Sequence, residues 1–143
     1  MKEINWKECV QKKIIFRIIP NKNKTLEMIK IADLKLEFWG KQIEEKFIAL
    51  KIEACYDIIR DLIFAHLYED GFNCTNHKCL IAYLKYVMPD FEYEINKIDE
   101  LRRLRNQISY RGSLIDKNYL RNNELEFQHI IKTLRNSLRS LQD

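Results

Sequence analysis

The sequence predicts an all-α protein, an up-and-down bundle of about five helices. Three observations carry this. Only 3 Gly and 2 Pro occur in 143 residues, too few for the tight turns an all-β fold of this length needs. Hydrophobic residues make up 46% and charged residues 32%, the composition of a globular core under a charged exterior rather than of a disordered chain. Apolar residues also recur at spacings of three and four along most of the chain, which gathers them on one face of each helix. The length suits one core and is too short for two, so residues 1–143 are read as a single domain.

Residues 4–19 mix Trp6, Val10, Ile14, Ile15, Phe16, Ile18 and Ile19 with lysines. They are read as a short helix, although the β-branched end suits a strand as well. Pro20 and the polar run after it break the pattern, and Thr25 is the expected cap of a second helix with Met28, Ala32, Leu36 and Trp39 on its buried face, up to Gly40. A long central helix is predicted over residues 43–68. Phe47, Leu50, Ala54, Ile58, Leu62 and Ala65 lie on its core face, Glu44, Lys51, Asp57 and Asp61 elsewhere, and Gly71 terminates it.

Thr75 or Asn76 caps the next helix, whose Leu80, Ile81, Leu84 and Val87 are apolar and which Pro89 closes. Asp90 is the expected cap of a helix bearing Ile98, Leu101, Leu104 and Ile108 and ending at Gly112. Asp116 starts a last helix with Leu120, Leu125, Ile130, Leu134, Leu138 and Leu141 at core positions.

No apolar run approaches the ~18 residues needed to span a bilayer, and residues 1–10 lack the apolar stretch of a signal peptide, so a cytoplasmic protein without membrane association is expected. Cys9, Cys55, Cys74 and Cys79 are then expected as free thiols of a reducing compartment. The balance of 25 Lys+Arg against 21 Asp+Glu leaves +4, well short of a nucleic-acid coating protein, so any polyanion site must be local. There is no Gly-rich phosphate loop, nucleophile elbow or HExxH, and no cofactor is expected. Cys74-Thr75-Asn76-His77-Lys78-Cys79 resembles a metal site superficially, but a closed zinc site needs a fourth ligand. It is read as a capping turn, with no metal. His66 and His129 are read as hydrogen-bonded helical histidines.

What remains is Arg102-Arg103-Leu104-Arg105 with Arg111, on a helix that starts acidic through Glu92, Glu94, Asp99 and Glu100. Basic residues near a helix carboxy terminus complement its dipole, which accounts for much of Arg102 and Arg103. Arg105 differs. At 100° per residue it lies about 60° from Ile108, between the buried stripe and Ser109, and a guanidinium held at such an edge needs an acceptor, for which phosphate is well shaped. Tyr110 sits about 140° around the helix from Arg105, so the two meet only across a two-fold interface or in a distorted last turn.

Three fragments in order resemble the HEPN superfamily, small prokaryotic helical-bundle proteins often encoded beside nucleotidyltransferases or in defence systems. Ala54-Cys55-Tyr56-Asp57-Ile58-Ile59-Arg60-Asp61-Leu62 with Asp70-Gly71-Phe72 resembles the family's central helix and its exit. Thr75-Asn76-His77-Lys78-Cys79-Leu80-Ile81 resembles the next helix start, and Leu101-Arg102-Arg103-Leu104-Arg105-Asn106-Gln107-Ile108-Ser109-Tyr110 the defining helix. The likeness covers residues 46–143, with residues 1–24 as an extension or extra helix.

The resemblance implies that two such helices meet in a homodimer to form a metal-independent ribonuclease site. There an arginine holds the scissile phosphate, and a histidine four to six residues on serves as acid or base. Arg105 and Asn106 match; the histidine does not. Tyr110, Arg111 and Gly112 fill the positions where it could stand, and a phenol titrating near ~10 is a poor base at neutral pH. Arg105 and Tyr110 are therefore the candidate catalytic pair, and Arg102, Arg105, Asn106 and Arg111 the candidate RNA or phosphate ligands. The expected function is a dimeric HEPN-like protein, RNA- or nucleotide-associated with weak or no ribonuclease activity, in a toxin–antitoxin or defence setting. The alternatives are a protein-interaction module partnering a nucleotidyltransferase, and a metal-independent endoribonuclease.

Overall fold

The fold is described from a computed structural model, which covers residues 5–41, 44–111 and 118–142. Six α-helices are present among them: α1 (Trp6–Gln11), α2 (Lys22–Gly40), α3 (Ile48–Asp70), α4 (His77–Val87), α5 (Glu92–Arg111) and α6 (Asn118–Asn136). Two short strands, β1 (Ile15–Arg17) and β2 (Phe72–Cys74), pair antiparallel with Ile15 opposite Cys74 and Arg17 opposite Phe72. The all-α bundle is thus correct, with this small ribbon added. Gly112 and Asp116, the expected stop of α5 and start of α6, lie outside the described residues.

The ribbon corrects the reading of residues 4–19. Only Trp6–Gln11 is helical, and Ile15–Arg17 is strand, because three consecutive large side chains of which two are β-branched or aromatic fit a pleated surface better than a helix. The segment is integral to the bundle. Trp6 stacks on Tyr86 at 4.5 Å between ring centroids, and Cys9 of α1 is joined by a disulfide to Cys79 of α4 with both side chains fully buried. The expectation of four free thiols is therefore corrected for this pair, while Cys55 and Cys74 are free and buried. The two bonded cysteines are 70 residues apart in sequence, and only the packing of α1 on α4 brings them together.

Capping differs in two places from expectation. Asn21, not Thr25, caps α2, its side chain accepting from the Lys24 amide at 3.0 Å; Thr25 lies one turn inside, fully buried, its hydroxyl donating to the Asn21 carbonyl at 2.8 Å. Asn76 caps α4 by accepting from the Lys78 amide at 2.7 Å. Asp90 does not cap α5 but lies in the 3₁₀ turn Pro89–Phe91 that runs into it. At the other end of the chain, Glu69 of α3 accepts from the Arg139 and Ser140 amides and the Ser140 hydroxyl, docking the last turn, Arg139–Leu141, on the bundle.

Helix α3 is the axis of the core and packs against α2, α4, α5 and α6. Ile52, Ile58, Ile59, Leu62, Ile63 and Leu67 are all buried on it, so it is apolar nearly all round. Each such side chain contributes roughly 1.5–3 kcal/mol of burial. The predicted core positions Leu50 and Leu125 are instead exposed, at 60% and 81%. Trp39 is buried and its indole N–H donates to the Lys51 carbonyl at 3.0 Å, tying the end of α2 to the start of α3.

Gly71 ends α3 in the left-handed region at φ +84°, and a Cβ there would stand 3.0 Å from the Ile18 carbonyl oxygen and 3.1 Å from Pro20. That carbonyl belongs to backbone held by the ribbon. Gly71→Ala is therefore expected to lower the unfolding free energy by about 1–3 kcal/mol in urea titration, whereas Gly40→Ala, with no atom within 4 Å of the new carbon, is expected to be neutral or stabilising by up to about 1 kcal/mol.

Candidate functional site

The charged side chains of α3 are where the sequence reading and the structure diverge most. Asp61, expected on an outer face, is only 3% exposed. A carboxylate so placed needs cations, and Lys35 of α2 meets it at 2.6 Å while Arg60 reaches it at 3.3 Å. One turn earlier Asp57 lies 3.2 Å from Arg60 and 3.8 Å from Arg105 of α5. The two carboxylates thus link three helices through one run of charge: Lys35, Asp61, Arg60, Asp57, Arg105.

A second carboxylate organises α5. Asp99 takes Arg102 at 2.9 Å on one oxygen and Arg103 at 2.8 Å on the other. Arg102, expected to serve mainly the helix dipole, is buried at 8% exposure, while Arg103 is solvent-facing. Arg105 is the least satisfied of the group. Its side chain is only 16% exposed, and among the described residues its closest carboxylate contact is the 3.8 Å approach to Asp57 and its buried Nε has no hydrogen-bond partner. Its guanidinium carbon stands 5.9 Å from the centroid of the buried Tyr56 ring, a cation–π distance. Asn106 beside it is half-buried. Tyr110 and Arg111 belong to the last turn of α5, and their side chains lie outside the described residues.

A residue that the sequence reading had assigned to a capping turn enters the same cluster. His77, the first residue of α4, places its Nδ1 3.4 Å from the Tyr56 hydroxyl. Its ring titrates below the ordinary histidine range, through burial first and then through Arg60, Arg105 and Arg102, with Asp57 opposing. Tyr56 is pushed up to about 12, mainly by burial, so the phenol keeps its proton, and which partner donates in its contact with Nδ1 follows from the imidazole tautomer.

Tyr56, Asp57, Arg60 and His77 were not singled out as site residues by sequence reasoning. The usable signal was the 3–4 spacing of Asp57, Arg60 and Asp61 in a helix otherwise apolar nearly all round, since charges inside such a helix must be paired.

The arrangement can hold an anion and exchange a proton with it. It is poorly suited to a cation, because guanidiniums dominate it. Cys74 and Cys79 offer no thiolate nearby: the Cys74 thiol donates to the Asn76 carbonyl at 3.0 Å and Cys79 is in the disulfide. Elsewhere His66 lies against Ser137, at 3.2 Å from Nε2 to the hydroxyl, but the same Nε2 is 2.8 Å from the Leu134 carbonyl and donates to it. It is therefore no base for Ser137, and His66 is the hydrogen-bonded helical histidine expected. His129 is exposed on α6. No helix among the described residues is long and apolar enough to cross a membrane. No family model, curated protein or solved structure matches this chain.

The histidines set a pH dependence. His66 and His77 both titrate below the ordinary value, burial being the first cause for each. The unfolded chain therefore binds protons near ~6.5 that the folded chain refuses, and stability is full above that pH and lost as pH falls below it. Thermal melting is expected to drop between about pH 7 and about pH 5, and His66→Gln with His77→Gln together should reduce the slope of that loss; an unchanged slope would contradict the burial of the two rings.

Proposed function

We propose that the chain is an RNA- or nucleotide-associated homodimer of the HEPN kind, binding a phosphate at the Arg105 cluster with weak or no cleavage. The observation that carries this reading is that Arg105 and His77 both lie against Tyr56, the guanidinium carbon 5.9 Å from its ring centroid and Nδ1 3.4 Å from its hydroxyl, with Arg105 Nε buried and unpartnered among the described residues. Arg60 and Arg102 are engaged by carboxylates at 3.3 Å or less, so Arg105 is the guanidinium with donors to spare. A planar fork of that kind matches phosphate oxygens. The resemblance of residues 101–110 to the HEPN motif helix assigns the phosphate to the same arginine.

A second reading, a protein-interaction module partnering a nucleotidyltransferase, is favoured by a different feature. Ile31, Leu34 and Phe38 of α2, spaced three and four apart, are all exposed and lead to Leu50 of α3, an apolar stripe of the sort that marks partner contacts.

Purified protein incubated with mixed RNA is expected to retain it without cleaving it. Arg105→Ala should weaken retention about tenfold to a hundredfold, the worth of a charge-assisted hydrogen bond, and flatten its salt dependence by about one phosphate contact. Neither retention nor cleavage would favour the interaction module, and cleavage abolished by Arg105→Ala the ribonuclease. Light scattering at micromolar concentration is expected to give a dimer; a monomer would overturn the two-fold arrangement.

A further inference from the structure

We infer that His77 is itself a ligand of the bound phosphate and that phosphate binding is coupled to protonation of its ring, an inference that rests on the phosphate reading above. Helix α4 starts at His77 because Asn76 caps it, and the Cys9–Cys79 disulfide and the burial of Cys79, Leu80 and Ile81 fix that first turn in the bundle. His77 is thus held on a rigid element, half-buried, with Nδ1 turned towards Tyr56. With Nδ1 against the phenol, Nε2 is the other ring nitrogen, and in the imidazolium it carries a proton to donate.

The charged groups that act on the ring are Arg60 and Asp57 from α3 and Arg105 and Arg102 from α5. Burial first, and then three cations against one carboxylate, disfavour a positive charge on the ring, so the free ring titrates below the ordinary histidine range. The surplus extends through the whole network. Among the described residues, Lys35, Arg60, Arg102, Arg103 and Arg105 share only Asp57, Asp61 and Asp99.

An arriving phosphate brings the opposite charge. It relieves the repulsion from the guanidiniums, accepts from Nε2–H, and favours the imidazolium over the neutral ring. Binding therefore takes up a proton. By linkage the affinity must rise as pH falls from the bound-state towards the free-state titration of His77, and level off below the latter. Arg105 supplies the anchoring, and His77 adds a contact that strengthens on acidification.

The test uses a uridine oligoribonucleotide with hydroxyl ends, whose diesters and bases keep a constant charge across the window, bound to the full chain in calorimetry. Wild type is expected to bind roughly tenfold tighter at about pH 5.5 than at about pH 7.5, one unit of coupling. Near neutral pH it should take up protons, seen as a heat that varies with the ionisation enthalpy of the buffer. His77→Gln, which keeps a donor but cannot be protonated, should bind with Arg105 still required, with no pH gain and no proton uptake; circular dichroism at both pH values establishes that it is folded, and His77→Asn repeats the test if it is not. A pH gain that persists in the folded variant, or Arg105-dependent binding by wild type with no pH gain, overturns the role of His77 and leaves the phosphate reading standing. No binding by wild type at either pH, or binding indifferent to Arg105→Ala, overturns the phosphate reading and this inference with it.

Discussion

Two carboxylates on the central helix constrain the rest of the molecule. An isolated charge is prohibitively costly in a bundle interior, yet α3 carries Asp61 at 3% exposure and Asp57 one turn away. Each must be met by a cation, and the cations come from different helices: Lys35 from α2, Arg60 from α3 and Arg105 from α5. Packing alone lets apolar helix faces slide over one another at modest cost; a paired buried charge does not, because losing the partner strands its mate. The pairs therefore fix how α2 and α5 sit on α3. Lys35 is partly solvated, so its pair with Asp61 contributes less to stability than to this positioning.

The same constraint produces the site. Asp57 is shared: Arg60 holds it at 3.2 Å, and Arg105 reaches it only at 3.8 Å. Arg105 is thereby drawn into a half-buried position without being fully satisfied among the described residues. The α5 motif read in sequence resembles half of a nuclease signature, with an arginine and no histidine. The bundle places a histidine from another helix against Tyr56, the ring that Arg105 also approaches. Cation and imidazole are thus delivered by α5 and α4, with α3 as the common support.

Much of the fold was legible because local chemistry decides it. Gly71 ends α3 in the left-handed conformation its lack of a Cβ permits, Asn76 caps α4, and Pro89 closes it. The readings that failed did so where tertiary packing decides. Thr25 and Asn21 are both competent caps, and the choice of Asn21 adds a full turn to α2. Leu50 and Leu125 satisfy helical periodicity but project beyond the neighbours that would cover them. Periodicity was blindest on α3, since a helix buried on several sides has no single apolar face, and Asp61 reads as an outer residue when it is an inner one. The Cys9–Cys79 pair and the contact of His77 with Tyr56 both join segments far apart in the chain, and no spacing rule reaches across such distances. Arg105 itself was legible from its edge position on α5; its partners were not.

The central claim is that His77 and Arg105 face one phosphate. It is tested most directly by following the His77 ring nitrogens by NMR through a pH titration of the folded chain, with and without the uridine oligoribonucleotide. A midpoint below the ordinary ~6.5 is predicted in the free protein, with an upward shift of the midpoint when the ligand is bound. A midpoint at the ordinary value in the free protein that the oligonucleotide leaves unmoved would contradict it.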